Sequence, residues 1–171
     1  YALFAVRGHG IGEIDAAQIV ATGAWTRPIA ALALGLLGDR FGISRMALVC
    51  FVLLIISHSL FAFTGAALGT LSMILLNTLV TGIAIFGLRG LYFGLLEEGQ
   101  IPLTVTGTAV GLVSVIGYTP DVYIAAIAGY LIDQSPGLAG FQHLFMLLLA
   151  FSIVGAIAAI MFERQARAAS V

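Results

Sequence analysis

The chain has 171 residues, of which 61% are hydrophobic and only 9% charged, with a formal net charge of −1 and a mean hydropathy of +1.12. A soluble domain carries about 25% charged residues, so a water-facing globular enzyme is all but excluded, and a disordered chain is excluded for want of charge. All seven basic residues are Arg and form no patch, which argues against a nucleic-acid partner, and the single cysteine, Cys50, rules out an internal disulfide or a multi-cysteine metal site.

What remains is an integral, all-α membrane protein with the lipid bilayer as its solvent. A helix needs about 20 apolar residues to cross ~30 Å of hydrocarbon. Residues 1–14 read as the end of a preceding helix followed by an outer loop containing Arg7. There is no initiator Met and no signal-peptide pattern, so the chain reads as an N-terminally truncated piece of a larger protein. Five spans then follow, at about 15–37, 46–63, 71–96, 103–132 and 138–162. Residues 46–88 contain no Asp, Glu, Lys or Arg, and Gly65 and Gly69 mark the turn that divides them. The connectors 38–42, 97–102 and 133–137 each hold Gly, Pro or a charge, as sharp helix-to-helix turns do. A β-barrel would need alternating strands of about ten residues, and runs such as 144–151 do not alternate.

Orientation follows from Arg counts in short loops. Arg40, Arg45, Arg164 and Arg167 fall on one side and Arg7 on the other. That places the connector after the first span and the C-terminus in the cytoplasm.

Three charged residues lie well inside spans, where an ionisable group is a functional-site hypothesis by default. Arg27 is about 15 Å from residue 37 along a helix, near the midplane. Gly23, Ala24, Ala30 and Ala31 share its face, and Pro28 follows it. A solute site and a structural tie between helices both remain open for it. Asp121 is about 16 Å deep. With Gly107, Gly111, Ser114 and Tyr118 it forms a polar, small-residue stripe suited to a pathway wall, in which Gly107 and Gly111 are expected to let a neighbouring helix approach. Arg89, about 10 Å from the end of its span, shares a face with Thr78, Gly82 and Tyr92. It either lines the pathway or snorkels to the surface. Glu97 and Glu98 read as interfacial loop charges, with gating of Arg40 or Arg89 as the alternative. His58 is expected to be a satisfied interior histidine, and His143 a solvated one. Trp25, Tyr118, Tyr123 and Tyr130 are second-rank cavity candidates.

The segment carrying Gly35, Asp39, Arg40, Gly42 and Arg45 resembles the G-x-x-x-D-R-x-G-R-R loop of the major facilitator superfamily. Ile43 and Ser44 depart from its two final basic positions, and Arg45 stands one place later. In that family the loop occurs twice, after the second and the eighth of twelve helices, and a degenerate copy is more typical of the second. The resemblance therefore implies the C-terminal half-bundle, helices eight to twelve, and extends to Arg89-Gly90 and the 107–121 stretch.

In its own physical terms, Gly35 is expected to permit close helix contact. Asp39 is expected to accept bonds from the N-terminus of a neighbouring helix, and Arg40 and Arg45 to pair with carboxylates or lipid phosphates. Such a loop latches one conformation, or it only sets orientation; the family resemblance favours the latch.

The resemblance implies a secondary transporter working by alternating access around a midplane site. It would be a symporter or antiporter, partnered by the missing N-terminal half. Arg27, with Arg89 below it, suggests an anionic organic solute such as a sugar acid or organophosphate. Asp121 would carry a coupling proton or neutralise Arg27. No ATP-binding motif, nucleophile elbow or metal-ligand spacing is present in the sequence, so neither an enzyme nor a cofactor is expected. The alternative is a truncated, non-transporting membrane element.

Overall fold

The structure is a computed structural model describing residues 1–64, 71–135 and 137–169, with helices joined by short connectors and no strand among the described residues. A π-helical turn at Phe4–Gly8 is followed by α1 (Glu13–Phe41), α2 (Ile43–Thr64), α3 (Leu71–Glu98), α4 (Leu103–Gln134) and α5 (Leu138–Ala169). The five helices are long and apolar enough to cross a membrane, one for each expected span. The expected turn at 65–70 and Pro136 in the last connector lie outside the described residues.

The connectors are tighter than expected. Asp39 and Arg40 lie in the last turn of α1, not in a loop, and Gly42 alone breaks the chain before α2. Its φ of +96° is open to glycine and strained for other residues, and its N–H closes α1 on the carbonyl of Gly38 at 2.9 Å. Glu97 and Glu98 likewise belong to the last turn of α3. That helix ends with Gln100 at φ +55°, its N–H on the Glu97 carbonyl and that of Ile101 on the Leu96 carbonyl. This is a Schellman stop with glutamine where glycine is usual.

In lipid there is no hydrophobic drive between helices, so association rests on close packing and polar ties. The main pairs are α1 with α3, α2 with α5 and α2 with α3. Gly87 on α3 faces Leu34 on α1, where an added Cβ would lie 1.9 Å from Leu34 Cδ1. Gly155 on α5 receives the ring of Phe51 from α2 in the same way, at 2.1 Å. Two apolar clusters result. One gathers Phe4, Phe61, Phe141 and Phe145 with Ile19 and Ile74; the other joins Leu34, Cys50, Leu54, Ala84 and Leu91. The N-terminal segment is part of the first cluster, Phe4 meeting three other phenylalanine rings edge-on at 5.1–5.4 Å.

Helix α4 stands apart. It leans on α5, barely touches α3, and has no buried residue among those described. The expected close approach at Gly107 and Gly111 is not made within this chain, since an added Cβ would meet nothing within 4 Å at either position. The same holds for Gly35; the close contact in that turn is at Gly38, against Leu91.

Candidate functional site

Two separate recesses, each holding an arginine, form on the helices, and they divide the residues expected to act together. The first lies between α1 and α3. Arg27 is the central residue of α1, about 21 Å from either end. Its guanidinium lies 5.0 Å from the centroid of the Phe86 ring, within cation–π range. Tyr1, Gly23, Ala24, Thr78 and Gly82 contribute to a cavity of about 250 Å³ beside it. Among the described residues no carboxylate lies within ion-pair distance of Arg27. The small residues expected on its face split: Gly23 and Ala24 line the cavity, while Ala30 is buried and Ala31 packs on Gly90 of α3.

The second recess lies where α3 and α4 diverge. Arg89 Nη2 donates to Asp121 Oδ2 at 3.2 Å, and the guanidinium lies 5.3 Å from the Tyr118 ring centroid. Both side chains are about half exposed, at 47% and 64%. Ser114 and Tyr118 line this crevice of about 350 Å³ with Phe51 and Tyr92. The stripe on α4 thus meets Arg89, and Asp121 pairs with that residue instead of neutralising Arg27. Thr78 and Gly82, grouped with Arg89 by spacing, turn to the Arg27 cavity; only Tyr92 stays with Arg89.

At the far end of α1 the expected roles change hands. Asp39 is exposed and makes no hydrogen bond or ion pair among the described residues. Glu98 takes the role expected of Asp39: its carboxylate accepts the backbone N–H of Ser44 at 2.8 Å and the Ser44 hydroxyl at 2.5 Å, in the first turn of α2. A carboxylate there meets orphan N–H groups and the positive end of the helix dipole. Glu98 sits on α3, whose final turn carries it to α2, whereas Asp39 leaves α1 on an exposed side. Arg40 stacks over Phe41 at 5.4 Å, and Arg45 pairs with Glu163 of α5 at 3.2 Å. At the opposite end Arg7 reaches Asp133 at 3.7 Å.

Sequence reasoning missed the roles of Ser44, Glu98 and Glu163. It also missed a buried ring of side chains. Ser57 Oγ donates to Asn77 Oδ1 at 2.7 Å. Its one hydrogen is then used, so at 2.6 Å the Thr81 hydroxyl is the donor. By the same count Tyr1 donates to Thr81 at 2.9 Å, and Asn77 Nδ2 closes the ring on Tyr1 Oη at 3.1 Å. The signal available was four polar residues on otherwise apolar segments. Beside the ring, His58 Nδ1 lies 3.0 Å from Ser152 Oγ, which itself donates to the Leu148 carbonyl at 2.8 Å, so the histidine is the donor.

Two curated proteins of Escherichia coli (strain K12) resemble the chain. Inner membrane protein YihN is 32% identical over 88 residues, 52% of this chain and 21% of that protein. Inner membrane protein YqcE is 33% identical over 72 residues, 42% of this chain and 17% of that protein. The matched stretch spans about a fifth of each relative's length. No family model matches the chain, and no solved structure matches it. This is an inner-membrane protein. Its five membrane-length helices and both relatives agree on that setting.

Proposed function

We propose that the chain is part of a secondary transporter of the major facilitator type, moving a small organic anion by alternating access rather than catalysing covalent chemistry. The observation that carries this reading is Arg27, a cation at the centre of a membrane-length helix, beside a cavity and without a carboxylate among the described residues. A charged side chain at the bilayer centre costs about 2.5–3.5 kcal/mol even on the mildest scales. Such a residue is retained where it meets water, a partner or a solute.

In this reading Arg27 holds the anionic group. The Arg89–Asp121 pair, with Ser114 and Tyr118, forms a second element of the pathway, opening or taking up a coupling proton on Asp121 as the bundle moves. Gly35, Asp39, Arg40, Gly42 and Arg45 form the cytoplasmic gating turn, with Glu98 as its anchor, and the C-terminus is cytoplasmic. The other half of the cavity comes from a further helical half of the same transporter. The motif supports this assignment, and the relatives support its inner-membrane setting.

The test is uptake by the intact protein in proteoliposomes, with labelled organic anions and neutral sugars, with and without a pH gradient. Gradient-dependent anion uptake lost in Arg27→Ala is expected. Uptake of a neutral solute that is indifferent to Arg27→Ala overturns the anion assignment.

A further inference from the structure

The hydrogen bonds around Arg27 restrict what kind of anion its cavity complements, an argument that rests on the transport reading above. Three hydroxyl-bearing residues line the cavity, Tyr1, Thr78 and Thr81. Each hydroxyl carries a single hydrogen. Thr78 donates to the carbonyl of Ile74 at 2.7 Å. Tyr1 donates to Thr81, and Thr81 to Ser57, within the closed ring. Turning the Asn77 amide over reverses the circulation but still commits each of those hydrogens to another ring member. The cavity wall therefore offers lone pairs from its hydroxyls and no hydroxyl hydrogens. Its N–H donors come from Arg27, whose guanidinium lies over Phe86 and keeps its in-plane donors available.

A ligand complementary to this wall needs an acceptor of negative charge at one end and hydrogen donors at the other. We propose that the Arg27 cavity takes a hydroxylated organic anion, whose acidic group meets the guanidinium and a hydroxyl group of which donates to Thr78 Oγ1. A plain alkyl carboxylate satisfies the cation but leaves the Thr78 oxygen without a donor, and a neutral sugar does the reverse. The cavity of about 250 Å³ is below the usual range for drug-sized ligands, about 300–1,000 Å³, and suits a solute of a few carbons.

Binding to the purified intact protein in nanodiscs tests this with matched pairs: glycerate against propionate, and gluconate against hexanoate. Each pair keeps the charge and the carbon count and differs in hydroxyl content. The hydroxylated member is expected to bind at least tenfold more tightly, equivalent to about 1.4 kcal/mol. Thr78→Val, which leaves the ring intact, is expected to cut that preference at least threefold without weakening the alkyl member. Thr78→Ser restores the preference, and Arg27→Gln abolishes binding of both members. Retained alkyl-acid binding in Thr78→Val shows that the variant is folded.

Equal affinity within every pair, or a preference unchanged by Thr78→Val, overturns the proposal. If anions bind through Arg27 without regard to hydroxyls, this inference fails and the transport reading stands. If no anion binds in an Arg27-dependent way, both fail.

Discussion

Replacing Glu98 with Gln removes the charge that holds the start of α2 while keeping the shape of the side chain. Glu98 accepts two bonds from one residue, the N–H of Ser44 at 2.8 Å and its hydroxyl at 2.5 Å. A hydrogen bond to a charged group nets about 1.5–3 kcal/mol and a neutral one about 0.5–1.5 kcal/mol. The helix dipole adds about 0.3–1 kcal/mol for a carboxylate at this end. The amide retains one acceptor oxygen but turns an NH₂ toward a second Ser44 donor. One bond is lost and the other loses its charge assistance. The expected cost is about 2 kcal/mol, against about 1 kcal/mol for Ser44→Ala. Because both changes act on one contact, the double variant should cost about 2 kcal/mol rather than about 3, a coupling near 1 kcal/mol. Thermal unfolding at fixed detergent reads this as roughly 2–4 °C per kcal/mol for a chain of this size. Hydrogen exchange at the first amides of α2 gives a local reading. Additive losses, or unchanged protection at those amides, would refute the idea that Glu98 caps α2.

Arg89→Gln and Asp121→Asn should each lower transport by the intact protein at least tenfold, and the double variant should recover part of the loss, since it leaves no lone charge in the crevice. Proteoliposome uptake decides this, and a double variant worse than both singles argues against a pair that works as a unit. Gly87→Ala places a methyl group 1.9 Å from Leu34 Cδ1 and should cost about 1–3 kcal/mol by overpacking, with partial recovery in combination with Leu34→Ala. Gly107→Ala, on the open side of α4, should stay within about 0.5 kcal/mol in the same melts. Thr81→Val breaks the buried ring, stranding the Tyr1 donor and depriving Ser57 of its own. A loss of about 1–3 kcal/mol is expected, with Thr81→Ser close to the parent in Tm.

The spans were legible because each is a long apolar run bounded by Gly, Pro or charge, and five runs gave five helices. Their ends were less legible. Asp39, Arg40, Glu97 and Glu98 looked like loop residues by charge, yet they continue α1 and α3 for another turn. Charged side chains at a membrane surface tolerate helix as well as loop, and the actual breaks are set by the backbone at Gly42 and Gln100. Within the candidate site, depth along each helix was readable from residue counts, which is why Arg27 falls at the centre of α1. Rotation was not. Spacing grouped Thr78 and Gly82 with Arg89, but helix α3 has α1 on one side and the α4 crevice on another, and which neighbour each residue meets is decided by packing. Glycine made the same point in reverse: Gly35 and Gly107 looked like contact residues, while Gly87 and Gly155 carry the close approaches.

The polar side chains inside these helices fall into kinds that call for different explanations. The Ser57–Asn77–Thr81–Tyr1 ring is closed on itself, each hydroxyl donating once and accepting within the ring. Its members tie the N-terminal segment to α2 and α3, and a structural role accounts for them. Arg89 and Asp121 offset one another at 3.2 Å, yet both remain half exposed along an open crevice. A pair built only for stability would be expected to be enclosed and bonded on all sides; this one can part without stranding a charge in a dry interior. Arg27 differs from both. Phe86 covers one face of its guanidinium, and around it every hydroxyl hydrogen is already spoken for. A structural tie would show the guanidinium donors spent on carbonyls or carboxylates. Here they border a cavity whose remaining polar atoms are acceptors, an arrangement that stabilises little within the chain and complements an anion carrying hydroxyl groups.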